Sequence, residues 1–499
     1  MDFGTNLING LSVAFQPINI SLCFFGVFIG MLIGVLPGIG PVGSMAILLP
    51  ITYSLSPDTA IIMLAGIYYG AQYGGTITSV LVNIPGEATT IVTCLDGHQM
   101  ALQGRAGPAL GISAFGSFIA ATFSIIALQV ISGPLVSIAL RFGPPEYFSL
   151  MMLGFTILTF LGQQSMIRAF MMAGVGVFLG TVGIDIMTGI PRFTFNSPQF
   201  FEGVGLAPLA MGLFGVSEIF LNVELKIKEE MPMVSMKFRN LLPTVKDWSN
   251  SIWSILRGSV VGFFLGILPG GGAVLGSFVS YVVEKRLSKH PEEFGKGAIE
   301  GVAAPESANN AAATGAFIPL LTLGIPGNVV TAILLGALMI HGITPGPMLM
   351  ASHPDVFWGV IASMYIGNLF LVILNIPLIS LWVRLLRVPY AILFPLLLFI
   401  TMYGAYLIKN STTEIFIMLA FGILGYLMRK FEYEAAPLVL AYVLSGLVEN
   451  AFRQSLIISE GGFGIFFTRP ISLGFLIITG LILITSILPG SKKALKKLS

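Results

Sequence analysis

Gly34-Val-Leu-Pro37-Gly38-Ile-Gly40 and Gly266-Ile-Leu-Pro269-Gly270-Gly271-Gly272 decide how this chain folds. Each lies in the middle of an apolar run, Ile20 to Ile51 and Ile252 to Val283. Either run would be about 48 Å long as one helix, against a hydrocarbon core of about 30 Å. A proline followed by glycines removes a backbone donor and admits positive φ, so a helix breaks there. The two arms, of about 16 residues each, are short for a full crossing. A re-entrant hairpin at each motif is therefore the expectation, with a tightly turned or kinked helix pair as the plainer alternative.

The two strings head an internal duplication. Asn83-Ile-Pro85-Gly86-Glu87-Ala-Thr89-Thr90 corresponds to Gly324-Ile-Pro326-Gly327-Asn328-Val-Val-Thr331, and Gln103-Gly104-Arg105-Ala106-Gly107-Pro108 to His341-Gly342-Ile343-Thr344-Pro345-Gly346-Pro347. A single Pro-Gly pair punctuates any loop. Three correspondences in the same order, at offsets of 232, 241 and 239 residues, are much more specific.

Outward from these motifs the composition fixes the solvent. Of 499 residues 55% are hydrophobic and 10% charged, with 25 Lys+Arg, 23 Asp+Glu and a mean hydropathy of +0.91. So few charges cannot cover the surface of a soluble domain, which is about 25% charged. Apolar runs recur from Val13 to Leu488, and the reading is an all-α polytopic membrane protein with about ten to twelve transmembrane helices plus re-entrant hairpins. An outer-membrane barrel would instead read as alternating segments of about ten residues. The net charge of +2 gives no sign of a nucleic-acid partner. Cys23 and Cys94 read as inert core thiols, and no His/Cys cluster suggests a metal site. The N-terminal run lacks a basic n-region and reads as retained structure rather than a signal peptide.

Charge placement orients the copies. No Lys or Arg occurs from Met1 to Gly104, whereas Arg257, Lys285, Arg286 and Lys289 flank the second motif. By the positive-inside bias the second hairpin opens to the cytoplasm and the first outward, which makes the halves inverted-topology repeats as in secondary transporters. The boundaries are residues 1–221 for the first half, 222–250 for a basic cytoplasmic linker, and 251–499 for the second half. The basic tail after Ser491 then reads as cytoplasmic.

Backbone freed at such breaks must face protein or a watery cavity, where helix N-termini offer donors to an anion. Gly301 to Gly315, small residues interleaved with Ser307, Asn309, Asn310 and Thr314, and the matching stretch Tyr68 to Thr76, would supply neutral hydrogen-bonding groups or serve as tight helix packing. Glu87, Glu306 and Asp96 lie near segment ends, where an ion-binding role competes with solvation or capping. No phosphate-binding loop, His-Glu-x-x-His or Gly-x-Ser-x-Gly string occurs, so nucleotide hydrolysis and the usual metal or serine chemistry are disfavoured.

Pro37 to Gly40, Gly104-Arg-Ala-Gly-Pro-Ala-Leu-Gly111 and above all Lys296-Gly-Ala-Ile-Glu-Gly-Val-Ala-Ala-Pro-Glu-Ser-Ala-Asn-Asn-Ala311 resemble the large membrane subunit of the bacterial tripartite tricarboxylate transporters. The resemblance runs along nearly the whole chain, with His98-Gln99 departing from a more usual Tyr-Pro. It implies a multi-pass permease of the bacterial inner membrane, not an enzyme. Its partners would be a small membrane subunit and a periplasmic solute-binding protein that captures a carboxylate such as citrate. It further implies symport driven by a cation gradient, commonly Na+, with no cofactor. The family motif falls on Glu306, Ser307, Asn309 and Asn310.

The expected pocket forms where the hairpin tips and the breaks at Pro85-Gly86 and Pro326-Gly327 meet. Gly38, Gly40, Thr89, Thr90, Gly270, Gly271, Ser307, Asn309, Asn310 and Asn328 are the candidate substrate-binding residues. Pro85, Gly86, Glu87, Glu306, Pro326 and Gly327 are the candidates for the cation. No catalytic residue and no resident metal are assigned. A passive anion-conducting channel is the alternative from another class, and a membrane enzyme acting on lipid-linked substrates is a third reading.

Overall fold

The computed structural model describes residues 3–36, 39–160, 166–185, 187–225, 241–268, 272–386, 388 and 390–487. Pro37, Gly38, Pro269, Gly270 and Gly271, most of the basic linker and the basic tail lie outside the described residues. The rest is almost all helix, with one antiparallel pairing of Gly183–Ile184 against Pro191–Arg192. Among the described residues eight helices are long and apolar enough to cross a membrane, and three shorter apolar helices accompany them. The chain is an all-α, polytopic membrane protein, as its composition requires.

Packing divides the chain into two compact units that interleave in sequence. The larger takes Met1–Val136, Ala207–Leu268 and Gly272–Tyr426. Its main helices are α1 (Pro17–Gly34), α2 (Gly40–Leu48), α3 (Pro57–Val82), α4 (Ala106–Ala139, to Val136), α5 (Val245–Ile267), α6 (Gly272–Leu287), α7 (Glu300–Gly315), α8 (Phe317–Leu323), α9 (Val329–Ile340) and α10 (Pro354–Leu386).

Two helix pairs in this unit are held by the same device. Gly26, Gly30 and Gly34 of α1 lie on the carbonyls of Met63, Ile67 and Ala71 in α3. Gly258, Gly262 and Gly266 of α5 lie likewise on Ala304, Ala308 and Ala312 of α7. A Cβ at any of the six would collide with the facing backbone, so only glycine at every fourth position admits this approach. The glycines of the second ladder follow those of the first by 232 residues, and the facing carbonyls by 241. α3 and α7 are consequently enclosed: 24 residues of α3 and all of α7 after Glu300 are buried.

Both Pro-Gly regions interrupt a helix. α1 ends at Gly34 and α2 starts at Gly40, whose φ of +58° suits glycine. α5 ends at Ile267, and α6 returns along it, so that a Cβ on Gly276 would sit 3.4 Å from the Gly262 Cα. α2 instead leans on α3 and on the segment Met211–Val216.

Downstream the copies again use one backbone. α3 stops at Asn83 (φ 56°, ψ 24°) and α8 at Gly324 (φ 71°, ψ 23°), both left-handed caps. Four residues on, Glu87 (φ −151°, ψ 170°) and Asn328 (φ −157°, ψ 179°) each begin a new helical turn through a reciprocal capping box with Thr90 and Thr331.

The smaller unit consists chiefly of Ser137–Leu206 and Leu427–Ser499. Its loop after Met166–Gly180 is tied by Arg453 to Asp185 at 2.9 Å and by Arg192 to Glu449 at 2.8 Å. The Arg453 guanidinium holds the Asp185 carboxyl well below the usual carboxylate range.

Candidate functional site

The larger unit encloses a chain of polar side chains drawn from both copies. Glu306 lies in α7 just after Pro305 and is 1% exposed. Its carboxylate accepts hydrogen bonds from Thr76 Oγ1 of α3 at 2.6 Å, from Ser113 Oγ of α4 at 3.3 Å, and from the Thr93 hydroxyl. A buried carboxylate is costly unless hydrogen-bonded, and three neutral hydroxyls are what this one has. Each of those hydroxyl oxygens also carries lone pairs that a cation can use.

Asn309, three residues on, bridges to the first break. Gln72 Nε2 of α3 donates to its Oδ1 at 3.1 Å, and its Nδ2 donates to Glu87 Oε1 at 3.2 Å. The Thr89 hydroxyl donates to the same Glu87 oxygen. The order Gln72–Asn309–Glu87–Thr89 thus crosses between the copies through Asn309. Asn310 is turned towards α4, where its Nδ2 donates to Ser117 Oγ at 2.8 Å and to the Glu306 carbonyl at 3.1 Å. Ser307 is fully buried beside Gly116, its hydroxyl without a partner among the described residues.

The remaining sequence candidates divide by what already occupies them. Thr90 is engaged in its capping box and accepts from Ser79 Oγ at 2.8 Å. Asn328 caps α9 through the Thr331 N–H at 2.9 Å, and its Nδ2 donates to Tyr68 Oη at 3.2 Å. Gly40 faces Gly86 and Glu87: its Cβ position is 3.4 Å from the Gly86 carbonyl oxygen. Gly86 lies directly on Gly75 of α3, and Gly327 lies near Ala316, between α7 and α8. Pro85 and Pro326 precede these glycines and supply no donor. Gly38, Gly270 and Gly271 are outside the described residues.

Asp96 is a capping group. Its Oδ1 accepts from the N–H groups of Gly295, Gly297 and Ala298 at 2.8, 2.8 and 2.9 Å, and its Oδ2 from Tyr281 Oη at 2.9 Å. Arg105 is paired with Asp247 at 2.6 Å, away from this chain of side chains. Among the described residues no group of three or more His, Cys, Asp or Glu could hold a metal ion.

Thr93, Ser113 and Ser117 were not singled out in the sequence. The one signal they carry is the four-residue spacing of Ser113 and Ser117, which puts both on one face of an apolar helix. Gln72 and Thr76 stood within the polar stretch already noted, without individual marks.

Residues 20–440 match the model of the tripartite tricarboxylate transporter TctA family. An uncharacterised 52.8 kDa protein of Agrobacterium vitis, from the TAR-I ttuC' 3' region, is 48% identical over 489 residues, covering 98% of this chain and 97% of that one. A second uncharacterised Agrobacterium vitis protein, from the TAR-II ttuC' 3' region, is 53% identical over 228 residues, which are 46% of this chain and 94% of its own. The uncharacterised protein MJ1079 of Methanocaldococcus jannaschii is 25% identical over 279 residues, 54% of this chain and 62% of that protein. No solved structure matches.

Proposed function

The chain belongs to the tripartite tricarboxylate transporter TctA family, and from that premise we propose that it is the permease subunit of a binding-protein-dependent importer of tricarboxylates or related carboxylates. A periplasmic binding protein delivers the substrate, a small membrane subunit completes the assembly, and a Na+ gradient drives uptake by alternating access. The permease sits in the bacterial inner membrane as two inverted halves, with its C-terminus in the cytoplasm.

The observation that carries this reading is the buried Glu306 carboxylate ringed by the hydroxyls of Thr76, Thr93 and Ser113. In this reading Glu306 and those oxygens hold the cation. Asn309 and Thr89, beside Glu87, serve the substrate carboxylate together with the capped turns at Glu87 and Asn328. Two protein carboxylates and an anionic substrate cannot gather in a low-dielectric interior without countercharge. Cation and substrate therefore favour each other's binding, which is the coupling symport needs.

Proteoliposomes containing both membrane subunits, supplied with binding protein and an imposed Na+ gradient, test it. Concentrative citrate uptake that collapses in Glu306→Gln while the protein still folds is the expected result. Purely downhill flux, indifferent to Na+, overturns it in favour of the anion channel.

A further inference from the structure

The open end of the second hairpin carries charge that the fold does not consume. Arg257 of α5 grips Glu284 of α6 with two donors, Nε to Oε2 at 2.9 Å and Nη2 to Oε1 at 2.6 Å, and Ser254 Oγ donates to Oε1 at 2.8 Å. Glu284 is buried and is the one acid of α6, so this contact takes the helix's negative charge off the surface. Lys285, Arg286 and Lys289 follow it, all exposed. Among the described residues no acid pairs with any of the three. The α6 C-terminus answers about half of one such charge. Glu292 and Glu293 lie on the next short turn, where Glu292 meets His290 at 3.4 Å.

Below these cations the surface is apolar and uncovered. Trp253, Leu256, Val260 and Phe264 of α5 are all exposed, at spacings of three and four that keep them on one face. Phe278 and Val279 of α6 are exposed as well. Lys285 and Arg286 come seven residues after them, two turns further on along the same faces. The outer wall of α6 therefore changes from apolar to cationic along its own axis. Trp253, 63% exposed, precedes Arg257 by one turn and so stands level with the end of α6. Trp358 and Trp382 are buried, and Trp248 packs on Phe115. An exposed tryptophan at that level marks a membrane–water boundary.

The first copy serves as an internal control. The positions 232 residues before Arg257, Lys285, Arg286 and Lys289 hold Phe25, Tyr53, Ser54 and Pro57. The duplicated frame folds without these cations. The positive-inside bias accounts for the side of the membrane on which they stand, but not for their alignment above an exposed apolar wall.

A ligand for this surface must bring negative charge at the boundary and hydrocarbon directly beneath it. A soluble anion lacks the hydrocarbon. A phospholipid with a net negative headgroup has both parts, in the right order. We propose that Trp253, Lys285, Arg286 and Lys289 form a binding site for an anionic phospholipid of the cytoplasmic leaflet. Its phosphate lies against the cations and its chains along the exposed walls of α5 and α6. Phe264 and Phe278 both lie about two turns deeper than the Arg257–Glu284 pair, within reach of the same chains. The bound headgroup ties the open end of the second hairpin to the membrane surface, whatever the pocket carries.

The test uses full-length protein in phosphatidylcholine vesicles containing either brominated phosphatidylglycerol or brominated phosphatidylcholine. Bromine on the chains quenches a tryptophan only at contact, and the difference between wild type and Trp253→Phe isolates that residue. Phosphatidylglycerol is expected to show a binding constant about fivefold or more above that of phosphatidylcholine, with the preference shrinking at high salt. Lys285→Gln, Arg286→Gln and Lys289→Gln together should bring the ratio to about one, and each alone should lower it. All three side chains are exposed, so folding is spared. Equal constants for the two lipids, a preference retained in the triple variant, or identical quenching in wild type and Trp253→Phe overturns the site. A preference abolished by inorganic phosphate at constant ionic strength assigns the cations to a soluble anion and overturns it too.

Discussion

The break at Glu87 and the break at Asn328 share a backbone and differ in chemistry. Each follows a left-handed helix cap by four residues, each adopts the same extended φ and ψ, and each closes a capping box on a threonine three positions later. The first carries a carboxylate that meets Asn309 from the other copy. The second carries a neutral amide that meets Tyr68. The glycines beside them differ too: Gly86 is pressed on the Gly75 Cα, whereas a Cβ at Gly327 would find the Ala316 Cβ at 3.3 Å. A duplicated frame can thus hold one charged and one uncharged end. The charge sits where the packing is tighter.

Glu87→Asn rewrites the first break as the second. Asn is as good a cap as the residue it copies, so the protein should fold, while Na+-driven uptake falls at least a hundredfold. Asn328→Asp, the reverse exchange, should cost less than tenfold. Equal losses in proteoliposome uptake would mean that the charge at the first break does not set it apart from the second.

The glycine pair comes next. Gly86→Ala drives a methyl into α3 backbone and should cost about 3 kcal/mol or more, seen as loss of folded protein in detergent. Gly327→Ala needs a shift of a few tenths of an ångström and should cost under about 1 kcal/mol. Comparable melting temperatures for the two variants would mean that the Gly86 contact relaxes freely.

The smallest effect is a symmetric one. Thr90→Val and Thr331→Val each remove the far half of a capping box, for about 1 kcal/mol apiece. The two losses should match, since the Ser79 hydroxyl that meets Thr90 keeps the Gly75 carbonyl as an acceptor at 2.9 Å. A thermal melt of both sharpens how far the two frames are equivalent.

Much of this frame is legible in the residues. Proline and glycine stop helices for local reasons, so the interruptions after Gly34 and Ile267, and the caps at Asn83 and Gly324, follow from sequence. Glu306 and Glu87 stand out because acids inside apolar sequence are costly to keep. Thr93 and Ser113 do not stand out, since single hydroxyls on apolar helices are cheap, and both find Glu306 roughly two hundred residues away. Asp96 was left between a cap and an ion site. What decides for the cap is three N–H groups from a loop far along the chain, and no local pattern encodes that meeting.

That clasp has a mechanical consequence. By gripping residues 295–298 and Tyr281 at once, Asp96 welds the turn after the first break to the entrance of α7 and to α6. Pulling them apart would strand a carboxylate and three amides together, so these parts travel as one piece. The hinges of the transport cycle must lie elsewhere, and a covalent bridge engineered across this seam should leave turnover intact.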